Sequence, residues 1–311
     1  MTPQPRVGIA FAFGCLLLLG AMPLLANARP VAYDGLTFAV WLTFWQLLCA
    51  LPLYGVERRR RPAAAAARRG YPPRAVAIAL TTGALFGLST FMYVVAAEKA
   101  GAVSMVIALQ AYPLFAALLE AIFLGKRKTP AELFFTLVML VALVYLTTGG
   151  TFRIADVSWW SVFALGIPAL WSIAHIMLRG LLVSMPITPN QVTLSRLVIS
   201  GLFLALIALA FGDAGSLLRA AGDIAFQQAA FIMGLTYYIE LVLWFYAVRH
   251  IDVSVASSVT VPAPAVTMLI ALVFLGEAVE RYQVLAMVVI AAGMYGLLLA
   301  GRHGRRRLPA A

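Results

Sequence analysis

The sequence predicts an all-α integral membrane protein, with ten transmembrane helices forming two inverted five-helix repeats around a central cavity. Composition is the first observation behind this. The 311 residues are 63% hydrophobic and 11% charged, with mean hydropathy +0.95, too little charge to cover a soluble core. The second is an internal copy displaced by 151 residues. It sets Gly83 on Gly234, Tyr93 on Trp244, Pro113 on Pro264, and Phe123-Leu124-Gly125 on Phe274-Leu275-Gly276. The third is the charge that follows this shared Phe-Leu-Gly: Lys126-Arg127-Lys128 in one copy, Glu277 and Glu280 with Arg281 in the other. Cytoplasmic loops collect Lys and Arg, whereas acidic residues follow no such rule. A basic loop kept once and lost once implies halves of opposite orientation. Such repeats are a signature of carriers that alternate access around a central site.

A span needs about 20 mainly apolar residues. Ten stretches qualify, at approximately 6–26, 35–56, 74–97, 102–124, 130–149, 158–180, 190–211, 224–248, 253–275 and 281–301. The first repeat therefore occupies 1–150 and the second 151–302, with a polar boundary near Thr151–Val157 and a basic tail at 303–311. Leu16 to Leu19 followed by Ala26-Asn27-Ala28 resembles a signal peptide with its cleavage site. Cleavage would leave nine spans and break the five-plus-five pattern, so 6–26 is read as a retained helix. Pro62, Ala63 to Ala67, Arg68-Arg69-Gly70 and Pro72-Pro73 make a low-complexity inner linker with no evident chemistry.

The net charge of +11 is distributed as a topology signal. With both termini cytoplasmic, the inner segments hold Arg6, the arginines from Arg58 to Arg74, Lys126, Arg127, Lys128, Arg179, Arg249 and those from Arg302 to Arg307. The outer side holds Arg29, Lys99, Arg153, Arg219 and Arg281. These residues orient the chain and meet lipid headgroups. No basic surface interleaved with aromatics is present, so no nucleic-acid partner is expected. Cys15 and Cys49 lie in apolar spans as small buried hydrophobes and are silent on redox compartment. Gly83-xxx-Gly87, and Gly293 with Gly296, are spaced for close helix approach.

Spans four and nine each carry a proline near the middle, Pro113 in one and Pro264 (with Pro262) in the other. Proline removes a backbone donor, a cost that neighbouring helices, water or a ligand must offset in hydrocarbon. Matched interruptions in two repeats mark either site-lining positions or bends that shape the bundle. Pro23 and Pro168 add bends without a shared register.

In span three, Phe86, Ser89, Thr90 and Tyr93 recur at helical spacing on one face. The repeat places Tyr237, Glu240, Leu241 and Trp244 on the equivalent face of span eight. The two faces are read either as ordinary core packing or as cavity walls that stack apolar or aromatic groups and bond amines or hydroxyls. Glu240 is costly inside a span. It binds a substrate ammonium, relays protons, or pairs statically with Arg196 or His175. His175, one turn from Arg179, is the second proton-coupling candidate, with simple packing as the alternative. Trp171 is a candidate cavity wall, and Trp159 and Trp160 start span six where interfacial Trp residues anchor helices. The substrate-binding candidates are thus Phe86, Ser89, Tyr93, Trp171, Tyr237, Glu240 and Trp244.

Catalytic signatures are missing. Three His without an H-x-x-x-H pair argue against a metal site. No G-x-S-x-G, Walker or dinucleotide sequence occurs, so neither an enzyme nor a cofactor is expected.

Tyr93-Val-Val-Ala-Ala through Pro113 to Leu124-Gly125, Trp244-Phe-Tyr-Ala-Val through Pro264 to Leu275-Gly276-Glu277, and Ala169-Leu170-Trp171-Ser172 together resemble the EamA-type carriers of the drug/metabolite transporter superfamily, which have two five-helix repeats. The resemblance spans nearly the whole chain. It departs at Gly125-Lys126, where the family often has Leu-Gly-Glu. It departs again at Trp45-Gln46, where an Arg is frequent, while Arg196 keeps that residue in span seven. The resemblance implies a secondary carrier in the bacterial cytoplasmic membrane, monomeric or homodimeric, that exports amino acids or related metabolites. The aromatic faces favour uncharged, hydrophobic or aromatic amino acids. The alternative cargo is amphipathic drugs, nucleosides or other metabolites.

Overall fold

Helix follows helix along the chain: α1 (Pro5–Asn27), α2 (Gly35–Arg59), α3 (Pro73–Lys99), α4 (Ala102–Leu109), α5 (Pro130–Thr147), α6 (Trp159–Ser184), α7 (Pro189–Phe211), α8 (Ala214–Gly222), α9 (Ile224–His250), α10 (Ala263–Phe274) and α11 (Arg281–Arg306). This computed structural model describes residues 4–59, 72–112, 129–184, 188–251, 259–274, 276 and 278–306, together with 114, 115, 118, 119, 122 and 256. Among the described residues, six helices are long and apolar enough to cross a membrane, and α10 and α11 contribute shorter apolar stretches. The described residues are all-helical in their regular structure, and the chain is a multi-pass membrane protein.

Local sequence explains several helix starts. Thr129 precedes Pro130, and its Oγ1 accepts from the Glu132 N–H at 3.2 Å. Glu132 returns the bond, its Oε2 accepting from the Thr129 N–H at 2.7 Å. Thr188 and Gln191 repeat this reciprocal cap before Pro189. Each pair satisfies two backbone donors that a helix start leaves open, and proline costs nothing at that position. Gly101, at φ 83°, makes the two-residue link between α3 and α4, a conformation disfavoured for residues with a Cβ.

Two pairs of helix starts share the displacement of 151 residues noted in the sequence. α3 and α9 are both 27 residues long, and their first residues, 73 and 224, lie 151 apart. α5 and α11 begin at 130 and 281, the same displacement.

Two compact units interleave along the chain. One gathers Met1–Asn27, Ala96–Ser172 and Glu240–Ala311, the other Ala28–Val95 and Ile173–Ile239. In the first, α5 lies along α11, and α1 packs on α10 and α4. Gly293 and Gly296 set their backbones against Met139 and Phe135, the close approach their spacing predicts. In the second unit α2 lies along α7, with α8 touching both. There Gly83 meets Ile199, and Gly87 meets Ser200 and Phe203. Ser200 donates its hydroxyl to the Gly83 carbonyl at 2.7 Å. The register-mate Gly234 lies against backbone, since a Cβ on it would fall 2.6 Å from the Leu42 carbonyl oxygen. One glycine position is therefore used twice for helix contact.

Candidate substrate-binding site

The structure puts a break in each half at the same register. α4 stops at Leu109, and Gln110 and Ala111 form a turn. There the Gln110 N–H donates to Ile107 at 3.1 Å and the Ala111 N–H to Ala108 at 3.0 Å, one residue short of the helical pattern. In the second half the turn is Val261–Pro262, and α10 begins at Ala263. A proline at position i cannot donate to the carbonyl at i−4. That carbonyl belongs to Leu109 for Pro113 and to Thr260 for Pro264, and each break starts at the next residue. Pro264 is buried in the first turn of α10; Pro113 lies outside the described residues.

Side chains within the first unit bridge both breaks to neighbouring helices. The Thr267 hydroxyl donates to the Gly20 carbonyl at 2.6 Å, tying α10 to α1. The Ser172 hydroxyl lies 3.2 Å from the Tyr112 carbonyl and 2.8 Å from that of Pro168, tying α6 to the segment after α4. Polar bonds of this kind offset the lost backbone partners in hydrocarbon. The same unit holds Trp171, Glu240 and Trp244. Glu240 is 8% exposed, and its carbonyl faces the Cys15 thiol at 3.3 Å. Trp244 is half-buried against Ala12, Ala247 and Ala256.

In the second unit, Phe86, Ser89, Thr90 and Tyr93 are all buried on one face of α3, as their spacing requires. Ser89 and Thr90 donate their hydroxyls to the Phe86 carbonyl at 2.9 and 2.8 Å, within their own helix. The Tyr93 and Tyr237 rings are 6.5 Å apart between centroids, tilted by 33°. Phe86 organises the rest. The Arg196 guanidinium carbon stands 3.8 Å from its ring centroid, and the His175 ring meets it edge-on at 5.3 Å. The buried face of α3 thus meets a cation at Phe86. Sequence reasoning weighed Arg196 as a counter-ion for Glu240 and as the arginine that the family resemblance keeps in span seven. The available signal was an arginine inside an apolar span, a placement that is rare without a function.

Among the described residues no group of three His, Cys, Asp or Glu is placed to hold a metal ion.

Comparison with known proteins adds a family. Residues 158–299 match the EamA-like transporter family. This EamA-like segment covers α6 to most of α11 and agrees with the drug/metabolite transporter superfamily. The match points toward membrane transporters of small molecules. No curated protein matches the chain. A solved structure described only as "Crystal structure of protein" is similar with a TM-score of 0.61 at 18% identity, over 98% of this chain and 100% of that one. At that identity the likeness concerns the fold alone.

Proposed function

We propose that the protein is a secondary carrier that exports small metabolites from the bacterial cytoplasm by alternating access. Its foremost cargo is amino acids with uncharged, hydrophobic or aromatic side chains. The observation that best supports this is the pair of matched turns, Gln110–Ala111 and Val261–Pro262. Interrupted helices at corresponding positions of two repeats expose backbone groups near the midplane, where carriers hold their cargo. The buried ring faces at Phe86, Tyr93 and Tyr237 supply stacking surface for an apolar or aromatic side chain.

In this reading the repeats insert with opposite orientation and both termini are cytoplasmic. Glu240 binds the substrate ammonium or carries the coupled proton. Trp171 and Trp244 belong to the wall of the substrate path, and His175 is the second group for proton transfer.

Counterflow in proteoliposomes loaded with a mixed amino-acid panel, with and without an imposed pH gradient, tests the proposal. Accumulation of labelled apolar amino acids is the expected result. Competition by lipophilic cations alone would replace amino acids with amphipathic cargo. No flux of any panel member would remove the carrier reading.

A further inference from the structure

A second feature of the Ala28–Val95 and Ile173–Ile239 unit lies beside the aromatic face. A cavity of about 180 Å³ opens among α3, α6 and α7, with Thr82, Gln191, Ser195 and Arg196 as its polar wall and Leu178 and Ile199 among its apolar one. No carboxylate is found among its described lining residues. Arg196 is the eighth residue of α7, roughly 10 Å along the axis from the first at 1.5 Å per residue. It is thus well within an apolar span. An arginine at that depth either pairs or serves a ligand.

Its contact with Phe86 explains how it would serve one. The guanidinium carbon stands over the ring centroid at 3.8 Å, and the ring cannot accept all five of its N–H donors. A guanidinium edge matches two oxygens of a carboxylate or phosphate, and the contact with Phe86 holds the group in place beforehand. The other repeat lacks this device. Trp45 is the register-mate of Arg196, and its indole N–H is already bonded to Gln227 Oε1 at 2.7 Å. The volume is below the about 300–1,000 Å³ of a complete small-molecule site, so it suits a headgroup rather than a whole ligand.

We infer that the Arg196 cavity is an anion subsite that captures a paired-oxygen group through the guanidinium edge. Given the export proposed above, on which this identification rests, the group is the carboxylate of the amino acid entering from the cytoplasmic side. A lipid phosphate carries the same chemistry.

Thermal unfolding of the purified full chain in detergent separates these sources. The probes are N-acetylphenylalanine, its uncharged amide, phosphatidylglycerol and phosphatidylcholine. N-acetylphenylalanine is expected to raise Tm and the amide to leave it unchanged. Arg196→Gln abolishes the shift, and Phe86→Leu weakens the apparent affinity about threefold, the value of a modest cation–π contact. Arg196→Lys, which keeps the charge without the planar fork, folds if Arg196→Gln does not and retains only a reduced shift. An Arg196-dependent shift with phosphatidylglycerol alone would assign the subsite to lipid phosphate. Equal shifts from acid and amide, or a shift that survives Arg196→Gln, would overturn the inference, as would no shift from any anion. Counterflow on the same preparation reports the carrier reading independently: Arg196-dependent binding without flux would sink export and spare the subsite.

Discussion

The Thr267 hydroxyl lies 2.6 Å from the carbonyl oxygen of Gly20, 247 residues away in sequence. At the same place a Cβ on Gly20 would fall 2.5 Å from Val266. A hydrogen bond and a close backbone approach thus fix the broken tenth helix onto the first, immediately after the turn at Val261–Pro262.

Removing the hydroxyl should therefore weaken the break more than the packing. Thr267→Val keeps the volume and loses about 1 kcal/mol, within the range for single hydrogen bonds in membranes. Thr267→Ser retains most of the stability. Thermal unfolding in detergent reads both, and equal Tm values for the two variants would remove the bond's role.

The paired glycines make matching predictions. A Cβ on Gly83 would lie 2.6 Å from Ile199 Cβ and one on Gly234 2.6 Å from the Leu42 carbonyl oxygen, and neither atom can rotate aside. Each Gly→Ala variant should lose about 1–3 kcal/mol, as overpacked sites do. Gly55→Ala has nothing within 4 Å and serves as the neutral control in the same melts.

Acid should loosen the region around α8. Asp223 is held below the usual carboxylate range, first by the Phe226 backbone N–H and then by the Tyr33 hydroxyl. Asp213 is lowered by Arg219 and the Gly215 N–H. Both pKa values are depressed on folding. Their contribution is thus complete above the unfolded carboxylate pKa and lost as pH falls through the folded one. Tm measured from pH 7 down to pH 3 should fall, and Asp223→Asn should flatten part of that slope. A slope identical to wild type would contradict the assignment.

Glu240→Gln and Trp244→Ala are expected to cut efflux at least about tenfold, equivalent to 1.4 kcal/mol of barrier, while the protein still inserts and folds. If Glu240 carries the proton, wild-type efflux follows an imposed pH gradient. Exchange indifferent to that gradient would leave facilitated diffusion.

Much of the architecture was legible because membrane spans are long and strongly patterned. The reading of 74–97 and 224–248 became Pro73–Lys99 and Ile224–His250, since hydrophobicity and repeat register agree there. The breaks were legible as prolines but not in place. A missing donor acts on the carbonyl four residues upstream, so the turns precede Pro113 and Pro264. The short helix Ala214–Gly222 was hidden inside a presumed loop because nine mixed residues carry little signal. The Phe86–Arg196 contact joins residues 110 positions apart, a pairing that spacing on one helix cannot reveal. Gln46 marks a similar gap: its Nε2 is buried without a hydrogen-bond partner, and the sequence showed only that a frequent arginine was absent nearby.

Opposite orientation of the two repeats is the premise behind export, proton coupling and the inward-facing subsite alike. Single cysteines introduced as Arg127→Cys and Val279→Cys, with Cys15 and Cys49 replaced, can be tested with a membrane-impermeant thiol reagent on intact cells and on inverted vesicles. Val279→Cys should label from outside and Arg127→Cys only in inverted vesicles. Labelling of both from the same side would contradict the inverted repeat.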